Sequence, residues 1–350
     1  MACESSDSDL EGLPPLFNDE VPKLSMVPRP KTLERRDGWS VVEEETADGG
    51  ALRWMVSDAA LSLDQTRVQL TAPDLKGERH FCRDSLRAAS HQVMVLALGL
   101  ALDSTSECLR HSLCVLGGGG MALPMVLVTQ VQSVWVHVVE LHDVVIDFAV
   151  RYFGASHERL LVEQGDAISI VQGPTRPWLP KSLAGLVVDI DFLRGTAPPE
   201  FLSLDFWKAL WATMKPDAIV AVNTIGAEAA DVQALAQLAR MAVTVETFGA
   251  TAIGALVLEP GPGDRRVWTA LIPRPSVLLL APPLLLSKIA GAARNPEGFE
   301  RQLPSWVGRV AADVLRAMAQ GKLQASWLEP TAELSKITRL HRCRIESRVE

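Results

Sequence analysis

Four consecutive glycines, Gly117 to Gly120, stand directly after a short apolar run, Leu113 to Leu116. A strand that ends in such a turn and passes at once into a helix narrows the folds open to this chain more than any other feature. The run is right for a strand buried on both faces. Met121 to Thr129 supplies the helix, with Pro124 tolerable only in its first turn. A second apolar run, Val134 to Val139, ends in an acid, Glu140. Strand, glycine turn, helix, strand, acid is the first half of a nucleotide-binding α/β fold. Glu140 follows the glycines by about 20 residues, the spacing at which a carboxylate meets a ribose diol.

The glycines also restrict the nucleoside. Gly117 and Gly119 supply the turn, but Met121, Ala122, Leu123 and Pro124 follow Gly120, and no Lys-Ser/Thr pair completes a P-loop. A ligand with ribose but no phosphates, such as S-adenosylmethionine, asks less of this loop than a dinucleotide does.

Charge and cysteine usage exclude other classes. A net charge of −8 and a pI near 5.5 argue against a general basic surface for nucleic acid. The five cysteines (Cys3, Cys82, Cys108, Cys114, Cys343) are scattered and form no C-x-x-C, so neither a zinc site nor a disulfide framework is signalled. The acidic N-terminus lacks the apolar core of a signal peptide. The longest apolar runs, Val93 to Leu102 and Val277 to Leu286, fall short of the roughly 20 residues a membrane span needs. A soluble protein in a reduced, cytoplasmic setting is expected.

Residues 1–37 are rich in Pro, Ser and acids and are expected to form a disordered tail. Residues 38–105 hold a small antiparallel β unit (Leu52 to Val56, Val68 to Leu70) and a helix from Leu86 to Leu102. His91 lies inside that helix, with no metal partner at ligand spacing, and reads as a packed or capping histidine. Residues 106–262 alternate further. A helix from Val144 is stopped by Gly154, and Leu160 to Val162 is a third strand. A short helix runs to Val171, and Leu186 to Val188 is a fourth strand. The helix Leu204 to Met214 is capped by Ser203 and closed by Lys215-Pro216. Ile219 to Val222 is a fifth strand, Ala229 to Ala242 a helix, and Val243 to Phe248 with Ala252 to Leu258 a closing strand pair. Residues 263–350 form a partly helical extension, with one amphipathic helix from Val307 to Ala319 and a basic tail, LHRCRIESR. The expected fold is α/β: a Rossmann-like, mostly parallel seven-stranded sheet with helices on both faces, a small N-terminal β unit and a helical C-terminal extension.

Ligands bind beyond the carboxyl ends of the strands in such sheets. Those ends carry Gly117 to Gly119, Glu140, Asp166, Asp189 with Asp191, and Asn223. The expected cofactor contacts are Gly117, Gly118 and Gly119 in the loop, Glu140 on the ribose, Asp166 with the Ala167 amide on the adenine edge, and Asp189 facing the reacting centre. Asp189, with Asp191 as helper, is the expected catalytic carboxylate, orienting the amine or accepting its proton, and no metal is required.

The segments LCVLGGGGMALPMVL, VHVVELHDVVIDFAVRYFG, LLVEQGDAISIV and LVVDIDF resemble the class I S-adenosylmethionine-dependent methyltransferases, closest to the spermidine-synthase-like branch. Within it they are similar to the methyltransferase-like 13 family, whose members methylate elongation factor 1-alpha at a lysine or the N-terminus. The resemblance covers about residues 80–260. It implies methyl transfer to a protein amine and a protein substrate such as that elongation factor. A homodimer is among the expected assemblies. Two positions depart from the family pattern. Met121 stands where the loop often has a small residue, which would crowd the methionine moiety, and His142 replaces the acid usually two after Glu140.

Two other functions compete. A polyamine aminopropyltransferase shares the fold but carries an Asp in the glycine loop and a second acid where Phe192 stands here. A diamine needs anionic partners, so these absences weigh against it. A catalytically silent binding scaffold is the third reading, since fold does not imply function.

Overall fold

The computed structural model describes residues 30–58, 64–103, 110–174, 176–190, 199–225, 227, 229–243, 253–260, 276–294, 303–320 and 322–328. Among them the strands form two sheets. The first is an antiparallel meander of β1 (Lys31–Arg36), β2 (Trp39–Glu45), β3 (Ala51–Ser57) and β4 (Asp64–Leu70). It begins at Lys31, inside the stretch expected as tail.

The second sheet contains β5 (His111–Leu116), β6 (Val134–Glu140), β7 (Leu160–Gln164), β8 (Leu183–Val188), β9 (Met214–Asn223), β10 (Gly254–Pro260), β11 (Val277–Ala281) and β12 (Leu323–Trp327). Their order is β12-β10-β11-β9-β8-β5-β6-β7. The chain moves outward from β5 through β6 to β7, then returns to the other side of β5 with β8 and β9, all five parallel. The order therefore reverses between β5 and β8, the place where an open α/β sheet forms its ligand crevice.

Helices cover both faces. α1 (Ala89–Asp103), α2 (Ala122–Gln130) and α3 (Asp143–Phe153) pack on one, and α4 (Ala167–Gln172), α5 (Leu204–Trp211) and α6 (Ala229–Ala242) on the other. β5 shows the alternation behind this: Leu113 and Val115 enter the first core, Cys114 and Leu116 the second. The C-terminal helices α7 (Pro283–Arg294), α8 (Ser305–Val310) and α9 (Ala312–Ala319) close over α1. Every residue of α1 from His91 to Leu102 is consequently buried, which is why the helix is apolar all round from Val93 onward. No helix among the described residues is long and apolar enough to cross a membrane.

Three expectations are corrected. The large sheet has eight strands rather than seven, because Leu323–Trp327 pairs antiparallel with β10; that segment has no strand-like pattern of its own until β10 supplies a partner. α5 ends at Trp211 and Lys215-Pro216 lies within β9. The β8–β9 ladder shifts register there, from Leu183↔Met214 to Gly185↔Ile219, so the missing proline N–H costs no pairing. The helix read as continuous over 307–319 is two helices meeting at Ala311, whose φ of −100° and ψ of 18° interrupt it. Of the strand expected over 243–248, only Val243 is described.

The N-terminal sheet is bolted to α3 and the glycine turn. Arg53 Nη1 donates to the Tyr152 carbonyl (2.6 Å), and Arg83 Nη2 to those of Phe153 (2.7 Å) and Gly154 (2.9 Å), capping the C-terminal end of α3. Burial pushes the Arg83 guanidinium down to about 10. Arg36–Asp147 and Arg151–Glu34 pairs, both 2.7 Å, add exposed contacts along the same helix.

Candidate functional site

The site is built at the carboxyl ends of β5, β6 and β8. The Asp189 N–H donates to the Leu116 carbonyl (2.8 Å), drawing the end of β8 against the start of the glycine turn. Gly117 adopts φ +88°, and a Cβ there would lie 2.3 Å from the Asp189 carbonyl oxygen. Backbone conformation and close approach together exclude any side chain at Gly117.

The next amides are all committed inside the protein. Gly118 and Gly119 N–H donate to Glu140 Oε2 (2.9 and 3.0 Å), and His142 N–H to Oε1 (3.1 Å). Gly120 N–H donates to Thr66 Oγ1 on β4 (2.7 Å). A carboxylate offers about four lone-pair sites, so the buried Glu140 keeps one for an external hydroxyl. Met121 caps α2 in a left-handed conformation, φ 62°, a strain of about 1–2 kcal/mol for a residue with a Cβ. Its side chain is fully buried, with sulfur and methyl under Gly118. His142 is exposed, its ring 5.5 Å from that of Trp39 on β2.

Asp166 caps α4. Its oxygens accept from the Ile168 and Ser169 amides (3.3 and 3.1 Å) and from Ser169 Oγ (2.6 Å), leaving the Ala167 amide outside the cap. Partial burial opposes ionisation of Asp166, but these donors hold its carboxyl below the usual range.

Asp189 is enclosed more deeply. His91 Nε2 lies 2.7 Å from Oδ2, and Asn223 Nδ2 donates to Oδ1 at 2.8 Å. Asn223 is itself oriented, because its Oδ1 accepts from the Ile225 amide (3.1 Å). Side-chain exposure is 9% for His91 and 17% for Asp189. Burial alone would raise the Asp189 pKa, yet His91 and Asn223 more than offset it and hold the carboxyl below its ordinary value. α1 and the carboxyl ends of β8 and β9 thus deliver one side chain each to a single half-buried cluster at the crevice. Asp191 lies outside the described residues.

The structure brings Gly118, Gly119 and Glu140 into one hydrogen-bonded unit, and Gly117, whose N–H donates to the Val139 carbonyl (2.8 Å), packs against Asp189. Sequence reasoning missed His91 as a partner of Asp189 and Thr66 as a partner of the loop. A signal for His91 existed: a lone imidazole in a helix buried all round must find a hydrogen-bond partner. Thr66 carried none, since its role comes from packing between two sheets.

No protein-family model matches the sequence, and no curated protein does either. Among solved structures the chain is similar to a probable spermidine synthase from Corynebacterium glutamicum, with 14% identity over 81% of this chain and 94% of that one and a TM-score of 0.55. The fold is spermidine-synthase-like. A spermidine synthase from Thermotoga maritima overlaps less, at 15% identity, 72% of each chain and a TM-score of 0.42. Human methyltransferase-like protein 13 in complex with SAH does so at 18% identity, 71% of this chain, 98% of that one and a TM-score of 0.41. Within this fold the N-terminal sheet and the eight-stranded sheet share the glycine turn through Thr66.

Proposed function

We propose that this chain is an S-adenosylmethionine-dependent methyltransferase acting on a protein amine. The observation that carries the reading is the commitment of the loop amides. Gly118, Gly119 and Gly120 already donate to Glu140 and Thr66, so they are not free to cradle a pyrophosphate as a dinucleotide requires. The remaining acceptor place on Glu140 suits a ribose hydroxyl, and the Ala167 amide suits the adenine edge. Met121, turned inward, leaves the outer side of the loop to the cofactor.

When bound, the cofactor supplies a methyl group on a sulfonium centre. The protein's own task is then alignment of a neutral amine. Asp189, at the crevice and held by two partners, is the proposed anchor for the incoming ammonium, with Asp191 as helper. Methyl rather than aminopropyl transfer is favoured by the glycine loop, which has no Asp, and by Phe192 in place of a second acid. Elongation factor 1-alpha is the acceptor that the sequence resemblance suggests.

Calorimetry with S-adenosylhomocysteine, followed by tritiated-methyl transfer to protein in cell extract, tests the reading. Binding and a labelled protein band are expected. Spermidine formed from putrescine and decarboxylated S-adenosylmethionine would replace it with the aminopropyl reading, and absence of binding would leave the scaffold.

A further inference from the structure

We propose that His91 is the proton acceptor for the amine, and that Asp189 holds its ring for that task. The inference rests on the methyl-transfer reading above and assigns the acid–base chemistry within it.

A protein ammonium cannot attack until it loses a proton, and a lysine side chain is almost wholly protonated at neutral pH, with an ordinary pKa of about 10.4. Asp189 was the expected base, but His91 on Oδ2 and Asn223 on Oδ1 stabilise its ionised form and so weaken it as a proton acceptor, while its remaining lone pairs can still hold an ammonium. An ionised carboxylate only accepts hydrogen bonds. At 2.7 Å from Oδ2, His91 Nε2 must therefore carry the proton of that bond. With Nε2 donating, Nδ1 is the ring nitrogen left to accept a proton, and it has no hydrogen-bond partner among the described residues. A carboxylate fixing one ring nitrogen so that the other works as a base is a recurring acid–base device.

The surroundings leave the pair to itself. Of the titratable groups on elements packed against α1, Lys288, Arg309, Asp313 and Arg316 are exposed. Asp313 meets Gln92 and Arg316, Arg309 meets Gln130, and Lys215 and Asp217 on β9 act on His111 at its far end. Asp189 alone pairs with the imidazole among the described residues.

The step balances. One ammonium proton passes to Nδ1, giving an imidazolium facing the Asp189 carboxylate. The freed nitrogen lone pair forms the N–CH3 bond as the S–CH3 bond breaks, its electron pair staying on sulfur as a neutral thioether. The methylated ammonium leaves, and His91 returns its proton to water.

The test is His91→Gln. The glutamine amide can still donate to Asp189, but it has no titratable nitrogen, so donation and base function separate. Histidine-labelled protein is first examined by long-range proton–nitrogen spectra, with the variant identifying the His91 signals. A neutral ring protonated on Nε2 at pH 7.5 is expected. A ring protonated on Nδ1, or on both nitrogens, overturns the proposal whatever the activity. Methyl transfer to extract protein from tritiated-methyl S-adenosylmethionine is then compared across pH, with S-adenosylhomocysteine affinity measured alongside. The variant should bind the probe as wild type does and transfer about 10²–10⁴-fold more slowly at neutral pH. Its rate on lysine should climb roughly tenfold per pH unit toward the amine's own pKa, closing the gap, while wild type levels off. A His91→Gln protein with wild-type rate, or with a deficit constant across pH, overturns the role of base. A wild type that transfers no methyl group overturns the underlying reading and this inference with it.

Discussion

Replacing Glu140 by Gln tests the anchoring of the glycine turn in the absence of any ligand. Gln keeps the size of the side chain but offers one acceptor oxygen where the carboxylate offers two. Placed at the Oε2 position, that oxygen retains the Gly118 and Gly119 amides, and the new NH2 group then faces the His142 N–H, donor against donor. Hydrogen bonds to a charged acceptor contribute about 1.5–3 kcal/mol and neutral ones about 0.5–1.5. Two bonds weakened by about 1 kcal/mol each and one lost bond sum to roughly 4 kcal/mol. Because His142 is exposed, water can reach its N–H and reduces the expected cost to about 3 kcal/mol. At about 2 °C per kcal/mol, the lower end for large domains, cofactor-free protein should melt about 6 °C lower. Urea denaturation and a thermal scan of the apo protein measure both quantities. An apo variant as stable as wild type would refute the claim that Glu140 holds the loop. Where the variant folds, calorimetry with S-adenosylhomocysteine should show affinity reduced by an equivalent of about 1.5–3 kcal/mol, and unchanged affinity would remove Glu140 from the ribose site.

Asp189→Asn should fold, bind S-adenosylhomocysteine nearly as wild type does, and transfer methyl about 10²–10⁴-fold more slowly; equal rates would leave Asp189 without a catalytic part. The same variant has a stability signature. Folding depresses the Asp189 pKa, so its contribution is full above the ordinary value of about 3.9 and is lost as pH falls through the folded value. Melting temperature against pH should fall less steeply below about pH 4 in Asp189→Asn than in wild type, and parallel curves would contradict the pairing. Gly117→Ala should be far more damaging than Gly118→Ala. Its Cβ would meet the Asp189 backbone at 2.3 Å with φ at +88°, whereas the contacts at Gly118 are side-chain ends, Met121 Cε at 2.6 Å and Val138 Cγ1 at 2.7 Å. Soluble yield and melting temperature of the two variants check the order, and a reversal would refute the close approach of β5 and β8.

Much of the fold is legible in the sequence because its signals are local. A doubly buried strand is a short apolar run, a tight turn between strand and helix needs glycine, and an acid at a strand end is visible in the chain. Hence the residue pattern alone places β5, α2, β6 and Glu140, together with α3 and its Gly154 stop and the succession of β7, β8 and β9. Boundaries fail where a distant partner decides them. Leu323–Trp327 becomes a strand only because β10 presents an edge, and Lys215-Pro216 sits in β9 only because the neighbouring ladder skips it.

The site divides in the same way. Sequence alone names the residues at the strand ends, since crossover topology fixes which ends face the crevice. What those groups are bonded to is decided only by the tertiary structure. Thr66 reaches the loop from another sheet 54 positions away, and His91 reaches Asp189 across 98. Hydrogen-bond partners at such separations leave no periodic trace in a sequence, because nothing in the local spacing of either residue depends on the other. The sequence shows His91 as a polar residue in an apolar helix, but only packing α1 between the sheet and the C-terminal helices turns it toward Asp189.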